Sequence, residues 1–232
     1  MLYILVTIPV TLFLASLISG CSLAPFSSGH SAHTVEENST VIQGGLTAST
    51  RMPYGRITHG IFENVEIGAL VESQPALIAG AIAKYAFINN LKEGPSVSLE
   101  GSLGGGDNAG YAYLGPMVGY KKRNWDAYMG ARYQYAHNKK YVERRRDQES
   151  YGDDQPKHHN IHFGGGKVDL SKSSNFNSAL LTVGNTFWLN KQYGVNVNAN
   201  YTVGSVKGVY AGVGLVYVFD GNKQVSNRNS TY

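Results

Sequence analysis

From about residue 39 onward, apolar and polar side chains alternate in segments of roughly 9–14 residues, separated by turn residues. Gln192 to Val203 shows this most clearly. Tyr193, Val195, Val197, Ala199, Tyr201 and Val203 alternate with Gln192, Gly194, Asn196, Asn198, Asn200 and Thr202. Successive strand side chains point to opposite faces, so one face is wholly apolar or aromatic and the other polar or glycine. Trp125 to His137 repeats the split, with Trp125, Ala127, Met129, Ala131 and Tyr133 against Asp126, Tyr128, Arg132 and Gln134. Asn64 to Glu72 and Ser96 to Leu103 do the same. Leu77 to Phe87 is alanine-rich and also fits a helix. Its place between strand-like runs makes it a strand.

The pattern predicts about ten strands, within a range of eight to twelve: 39–49, 53–62, 64–72, 76–88, 95–105, 109–120, 125–137, 176–189, 191–203 and 207–219. An even number of antiparallel strands leaves both chain ends on one side. The second, fourth, sixth and eighth connections are short, whereas the seventh spans 138–175. Short turns at one end and long loops at the other are the asymmetry of transmembrane barrels. The expected fold is therefore all-β: a closed antiparallel up-and-down transmembrane barrel over 39–219, with a polar tail at 220–232.

Composition fits that picture. Glycine (28 residues) and tyrosine (16) are abundant, and only 16% of residues are charged. The first 20 residues carry no charged side chain and end in Leu17-Ile18-Ser19-Gly20-Cys21, with Cys21 the only cysteine of the sequence. An apolar core closed by small residues is the pattern of an export signal. Together with Cys21 it resembles a bacterial lipoprotein signal peptide. That resemblance implies cleavage after Gly20, a diacylglycerol and a further acyl chain on Cys21, and handling by lipoprotein-sorting machinery. Ser22, rather than Asp, follows the cysteine, which resembles lipoproteins sent to the outer membrane of Gram-negative bacteria. No Lys or Arg precedes the apolar core, a departure from the usual signal. An ordinary cleaved signal and an uncleaved helix are the alternatives. Residues 21–38, with Pro25, Ser27, Gly29 and Ser31, read as a lipidated linker. The lipid is expected on the same side of the membrane as the start of the barrel.

In the last strand Gly214, Tyr217 and Phe219 match part of the signal read by barrel-insertion machinery. With the alternating hairpins, they make residues 39–219 resemble small outer-membrane β-barrel proteins. The candidate lumen set is Glu66, Glu72, Lys84, Glu100, Asp126 and Arg132. Buried charges must be paired or wet, so this set is expected to form a polar core. A narrow solute pathway and a catalytic carboxylate pair are the other readings.

The 138–175 loop carries Arg144, Arg145 and Arg146, whose guanidinium groups suit lipopolysaccharide phosphates. It also holds His158, His159 and His162, a spacing too loose to predict a metal site. The glycine runs 104–106 and 164–166 lack a following Lys-Ser or Lys-Thr and read as turns, not nucleotide loops. Lys121, Lys122 and Arg123 beside Trp125 suit a membrane boundary. No catalytic set, cofactor or nucleic-acid site is expected. The leading expectation is a non-enzymatic, outer-membrane, lipid-anchored barrel with a role in surface interaction or membrane integrity, its lipid partners including lipopolysaccharide. The competitors are a narrow porin-like channel, a lipid-modifying enzyme, and a lipid-anchored periplasmic lipocalin-like carrier.

Overall fold

A computed structural model describes residues 24–27, 29–47, 52–73, 77–106, 109–138, 160–163, 166–169 and 175–220. Among the described residues there are twelve strands: β1 (Thr40–Thr47), β2 (Met52–Phe62), β3 (Val65–Ser73), β4 (Leu77–Asn89), β5 (Gly94–Gly106), β6 (Ala109–Lys122), β7 (Trp125–Asn138), β8 (Asn160–Phe163), β9 (Gly166–Asp169), β10 (Asn175–Trp188), β11 (Tyr193–Gly204) and β12 (Val206–Phe219). Ten of them form a continuous antiparallel ladder, β1 to β7 and then β10 to β12. Pairing of Thr40 with Phe219 through Thr47 with Gly212 closes it. The fold is thus a closed ten-stranded up-and-down barrel, and closure removes the exposed edges that an open sheet would leave.

Each wall strand matches an expected segment, with ends shifted by a few residues. The alanine-rich β4 is a strand, paired with β3 through Glu66 and Lys84 and with β5 through Lys84 and Glu100. Inside the long connection, β8 and β9 pair antiparallel as a hairpin. The β9 strand pairs with the start of β12 at Val168 and Val206. The pattern of the sequence marks 138–175 only as a long connection and does not show this hairpin. Glycines 104–106 are not a turn, because they end β5 in register with Ala109 and Gly110 of β6. The β6–β7 ladder skips Gly115 and Pro116, and Pro116 has no N–H to donate.

Alternation gives the wall two unlike faces. Outward side chains include Ile57, Leu103, Leu114, Met129, Val183, Val209 and Leu215, all exposed. At the short-turn end, aromatic residues meet in pairs: Tyr85 with Phe87, Tyr120 with Trp125, and Tyr193 and Phe219 each with Tyr217. Nearer the long-loop end Tyr133 and Tyr135 point outward and donate to Asn177 and Asn175. Trp125 and Tyr135 lie ten residues apart on β7. That is about 33 Å along a strand and about 25 Å across a wall tilted by roughly 40°. An apolar band of about that height between aromatic girdles is what a bilayer accepts and water does not.

The inward face is polar: Gln43, Arg56, Glu66, Glu72, Lys84, Glu100, Asp126, Gln134, Thr186, Asn196 and Asn200 are all buried. What buries them is the chain's own N-terminal segment. Residues 24–38, expected to be a linker outside the barrel, run through the lumen as a strap. Ala24, Phe26, Ala32 and Val35 on it are buried, as are the polar His30, Ser31, His33 and Thr34. At its end Asn38 adopts a left-handed conformation (φ 62°), which asparagine tolerates better than most residues, and the chain reverses there into β1. The Asn38 N–H donates to the Gly60 carbonyl and the Ser39 N–H to Glu36.

Candidate functional site

Strap and inner wall together form the candidate site, and its residues come from alternate positions of β2 to β7 and β10 to β12. At its centre, Arg56 holds Glu100 in a two-pronged pair, Nη2 to Oε2 at 2.6 Å and Nη1 to Oε1 at 3.2 Å. Glu66 lies 3.5 Å from both Arg56 Nη2 and Lys84 Nζ, and Lys84 lies 3.7 Å from Glu100. Tyr113 Oη donates to Glu100 at 3.0 Å. Register brings three of these residues together, since Glu66 pairs with Lys84 and Lys84 with Glu100 across three adjacent strands, and Arg56, which pairs with Leu70, reaches them from β2.

Charged wall groups, two of them from this cluster, also hold the strap, chiefly by its backbone. Glu72 accepts the N–H groups of Phe26 and Ser27 at 3.0 and 2.9 Å. Arg132 donates to the carbonyls of Pro25 and Ser27 while lying 4.3 Å over the Tyr113 ring. Lys84 donates to the carbonyls of Ser31 and His33 at 3.1 and 3.3 Å, and Glu66 accepts the Val35 N–H at 3.0 Å. Asp126 accepts the Ser31 hydroxyl at 2.6 Å and stands 3.5 Å from His33 Nδ1. Phe26 stacks on Tyr210, centroids 4.5 Å apart and planes within 13°. Gly29 lets the strap pass close to the central pair, since a Cβ there would sit 3.2 Å from Arg56 Nη1 and 3.4 Å from Glu100 Oε2. A polar ladder lines β11, with Asn200 donating to Asn198, Asn198 to Asn196, and Asn196 to Tyr128 and Thr186.

The structure brings Glu66, Lys84 and Glu100 into one cluster. It places Glu72, Arg132 and Asp126 apart from it, each against the strap. Sequence reasoning missed Arg56, Tyr113 and the strap itself. Arg56 is in phase with Tyr54 and Thr58, which was its available signal. The other face of β2, Pro53, Gly55, Ile57 and His59, is too mixed to announce a strand's polarity.

Of the last-strand residues, Gly214 faces inward beneath the Tyr54 hydroxyl, while Tyr217 and Phe219 join the aromatic group at the short-turn end. His59 is exposed and His137 half-buried, and they sit beside Thr40 and Asn175. Cys21, Arg144, Arg145, Arg146, His158 and His159 lie outside the described residues. Among the described residues no group of three or more His, Cys, Asp or Glu is arranged to hold a metal.

No protein-family model matches the chain, and no curated protein sequence does. Solved structures that resemble it are barrels. The KdgM porin in complex with disordered oligogalacturonate shares 9% identity over 78% of this chain and 99% of its own, with a TM-score of 0.41. The N-terminal β-barrel domain of Pseudomonas aeruginosa OprF shares 11% over 80% and 100%, with a TM-score of 0.36. Ail, the attachment invasion locus protein of Yersinia pestis, shares 14% over 79% and 99%, with a TM-score of 0.32. At these values the likeness concerns architecture alone.

Proposed function

We propose that this chain is an integral outer-membrane barrel whose lumen is permanently stoppered by its own N-terminal strap. Its role is non-enzymatic and lies in surface interaction or membrane integrity. The observation that carries this reading is the strap. Lumen charges that would line a solute path are instead paired with one another or bonded to the backbone of residues 25–35. A conducting barrel needs hydrated, unengaged groups along its axis. Here the axis is filled by protein, against the porin-like alternative.

The outward apolar band and its aromatic girdles support a bilayer around the wall. They argue against the periplasmic lipocalin-like alternative, in which the apolar residues face inward around a ligand. Short turns at one end would then be periplasmic, and the 138–175 connection, with Arg144, Arg145 and Arg146, would face outward toward lipopolysaccharide phosphates. Lipidation at Cys21 belongs to the same reading and rests on the signal-peptide pattern alone.

Planar-bilayer conductance tests the stopper. The full chain should insert without open-channel steps, and deletion of residues 24–36 should produce them. Steady conductance by the intact chain would overturn the reading. Membrane insertion is checked by resistance to carbonate extraction and by heat-dependent gel mobility. Fatty-acid labelling that disappears in Cys21→Ala is expected for the anchor, and label persisting in that variant would remove it.

A further inference from the structure

The strap has a direction. Its first described residues contact the wall near the long-loop end. Glu72, which holds the Phe26 and Ser27 amides, is one residue from the end of β3. Gln134, which donates to the Pro25 carbonyl, lies in the second half of β7, and Tyr210, which stacks on Phe26, lies near the start of β12. The strap's last residues contact the opposite rim. Thr34 donates to the carbonyl of Glu63, in the turn between β2 and β3, and receives a bond from Asn89, the last residue of β4. Glu37 bridges to Gly60 beside the same turn. The chain therefore descends the lumen from the long-loop end to the short-turn end, reverses at Asn38 and climbs again as β1.

Covalent reach extends this to what precedes the strap. Cys21 stands three positions before Ala24, and even a fully extended chain spans only about 10 Å over that stretch. The apolar band of such a wall is about 25 Å tall. The return path down the lumen is occupied by the strap itself.

Resting on the outer-membrane orientation proposed above, we propose that the N-terminal segment is threaded through the barrel from outside. The residues before Ala24, with any acyl chains on Cys21, then lie at the outer surface of the membrane rather than at its periplasmic side. The partner of such acyl chains is the outer leaflet. The sequence pattern led to the opposite expectation, because β1 starts at the periplasmic rim. A strap held by a lipid at one rim and by β1 at the other cannot slide toward the short-turn end without dragging acyl chains through a polar lumen, nor toward the long-loop end without unpairing β1.

The test labels full-length chains with a membrane-impermeant maleimide on Gram-negative cells, before and after the outer membrane is permeabilised. Leu23→Cys reports the N-terminal side, and Lys191→Cys, exposed in the β10–β11 turn, reports the short-turn rim. Signal is read above the parent chain, and heat-dependent mobility confirms that each variant folds. Leu23→Cys should label to the same extent before and after permeabilisation, while Lys191→Cys should label only after it. If both label only after permeabilisation, threading from outside is overturned and the membrane orientation stands. If Lys191→Cys labels on intact cells, the orientation falls and the inference with it. An epitope inserted between Leu23 and Ala24 answers the same question without a thiol. Antibody binding only to permeabilised cells overturns the proposal.

Discussion

Replacing Lys84 by Met tests whether the lumen network holds this barrel together. The Lys84 side chain is fully buried, with Nζ within 3.7 Å of two carboxylates and hydrogen-bonded to two strap carbonyls. Methionine keeps the length and removes the charge. Arg56 still neutralises Glu100, because their two-pronged pair does not involve Lys84, but Glu66 loses one of its two cationic neighbours. Removing one partner of a buried ion pair costs about 3–5 kcal/mol, chiefly because the other charge is left uncompensated. With a urea slope of about 2 kcal/mol/M, a loss of 4 kcal/mol lowers the unfolding midpoint by about 2 M. Adding Glu66→Gln removes the stranded charge while its amide oxygen can still accept the Val35 N–H. The double variant should therefore recover part of the loss, a coupling of about 1–3 kcal/mol for residues in one network. Urea unfolding in detergent micelles, followed by tryptophan fluorescence, measures both. A Lys84→Met midpoint equal to the parent's, or a double variant weaker than the single, would refute the account of Lys84 as the charge linking wall and strap.

Three further substitutions separate strap, rim and membrane face. Phe26→Ala removes the stack on Tyr210, a truncation worth about 3–5 kcal/mol in a packed interior; it should open the strap to protease near residues 24–27 alone, while heat-dependent mobility of the barrel persists. Gly60→Val places side-chain atoms against the Glu36 and Val35 carbonyls, so the parallel bridge from Glu37 should be lost and the Asn38 amide should exchange with deuterium faster than in the parent. Val183 is 58% exposed near the middle of β10; arginine there should cost about 2–4 kcal/mol if lipid covers it and within about 0.5 kcal/mol if water does, a difference that unfolding in lipid bilayers measures.

The barrel wall was legible because a lipid-facing strand must alternate strictly. In β11 every odd residue from Tyr193 to Val203 is apolar or aromatic, and in the structure the intervening Asn196, Asn198, Asn200 and Thr202 are buried. The place of β4 between other strand-like runs outweighed its helical alanine content. The strap was illegible for the opposite reason. It is held mainly through backbone N–H and C=O groups, which every residue carries and no side-chain pattern records. Its Pro25, Ser27, Gly29 and Ser31 are the residues of a linker, and here they let a chain lie flat against charged walls. One signal did exist. A ten-stranded lumen is wider than the eight-stranded size that side chains fill, and six scattered charges do not fill it. Apolar Phe26 and Val35, upstream in a nominally polar segment, were the material available. The β8–β9 hairpin left no alternation long enough to detect, at four residues per strand.

Strap and wall therefore form one folding unit. Glu72 and Arg132 point at amide and carbonyl groups of residues 25–27, and Glu66 and Lys84 at those of residues 31–35. Taken away from the strap, these wall groups must be rehydrated, which needs a flooded lumen. Water then replaces the lost hydrogen bonds at a net difference of only about 1.5–3 kcal/mol each for charged partners. A half-withdrawn strap gains neither set of partners, because a dry, emptied stretch leaves charges buried and alone. The bonds therefore fix the register of the strap and help retain it, and they are joined by contacts that water cannot replace: Phe26 on Tyr210 toward the long-loop rim, Ala32 against Met117 and Tyr128, and Val35 with Val41 and Val216 toward the short-turn one. Spaced along the whole lumen, these apolar contacts must be broken together for the barrel to open. Opening is then all-or-none, and a single truncation such as Phe26→Ala should loosen the strap locally without producing a conducting pore.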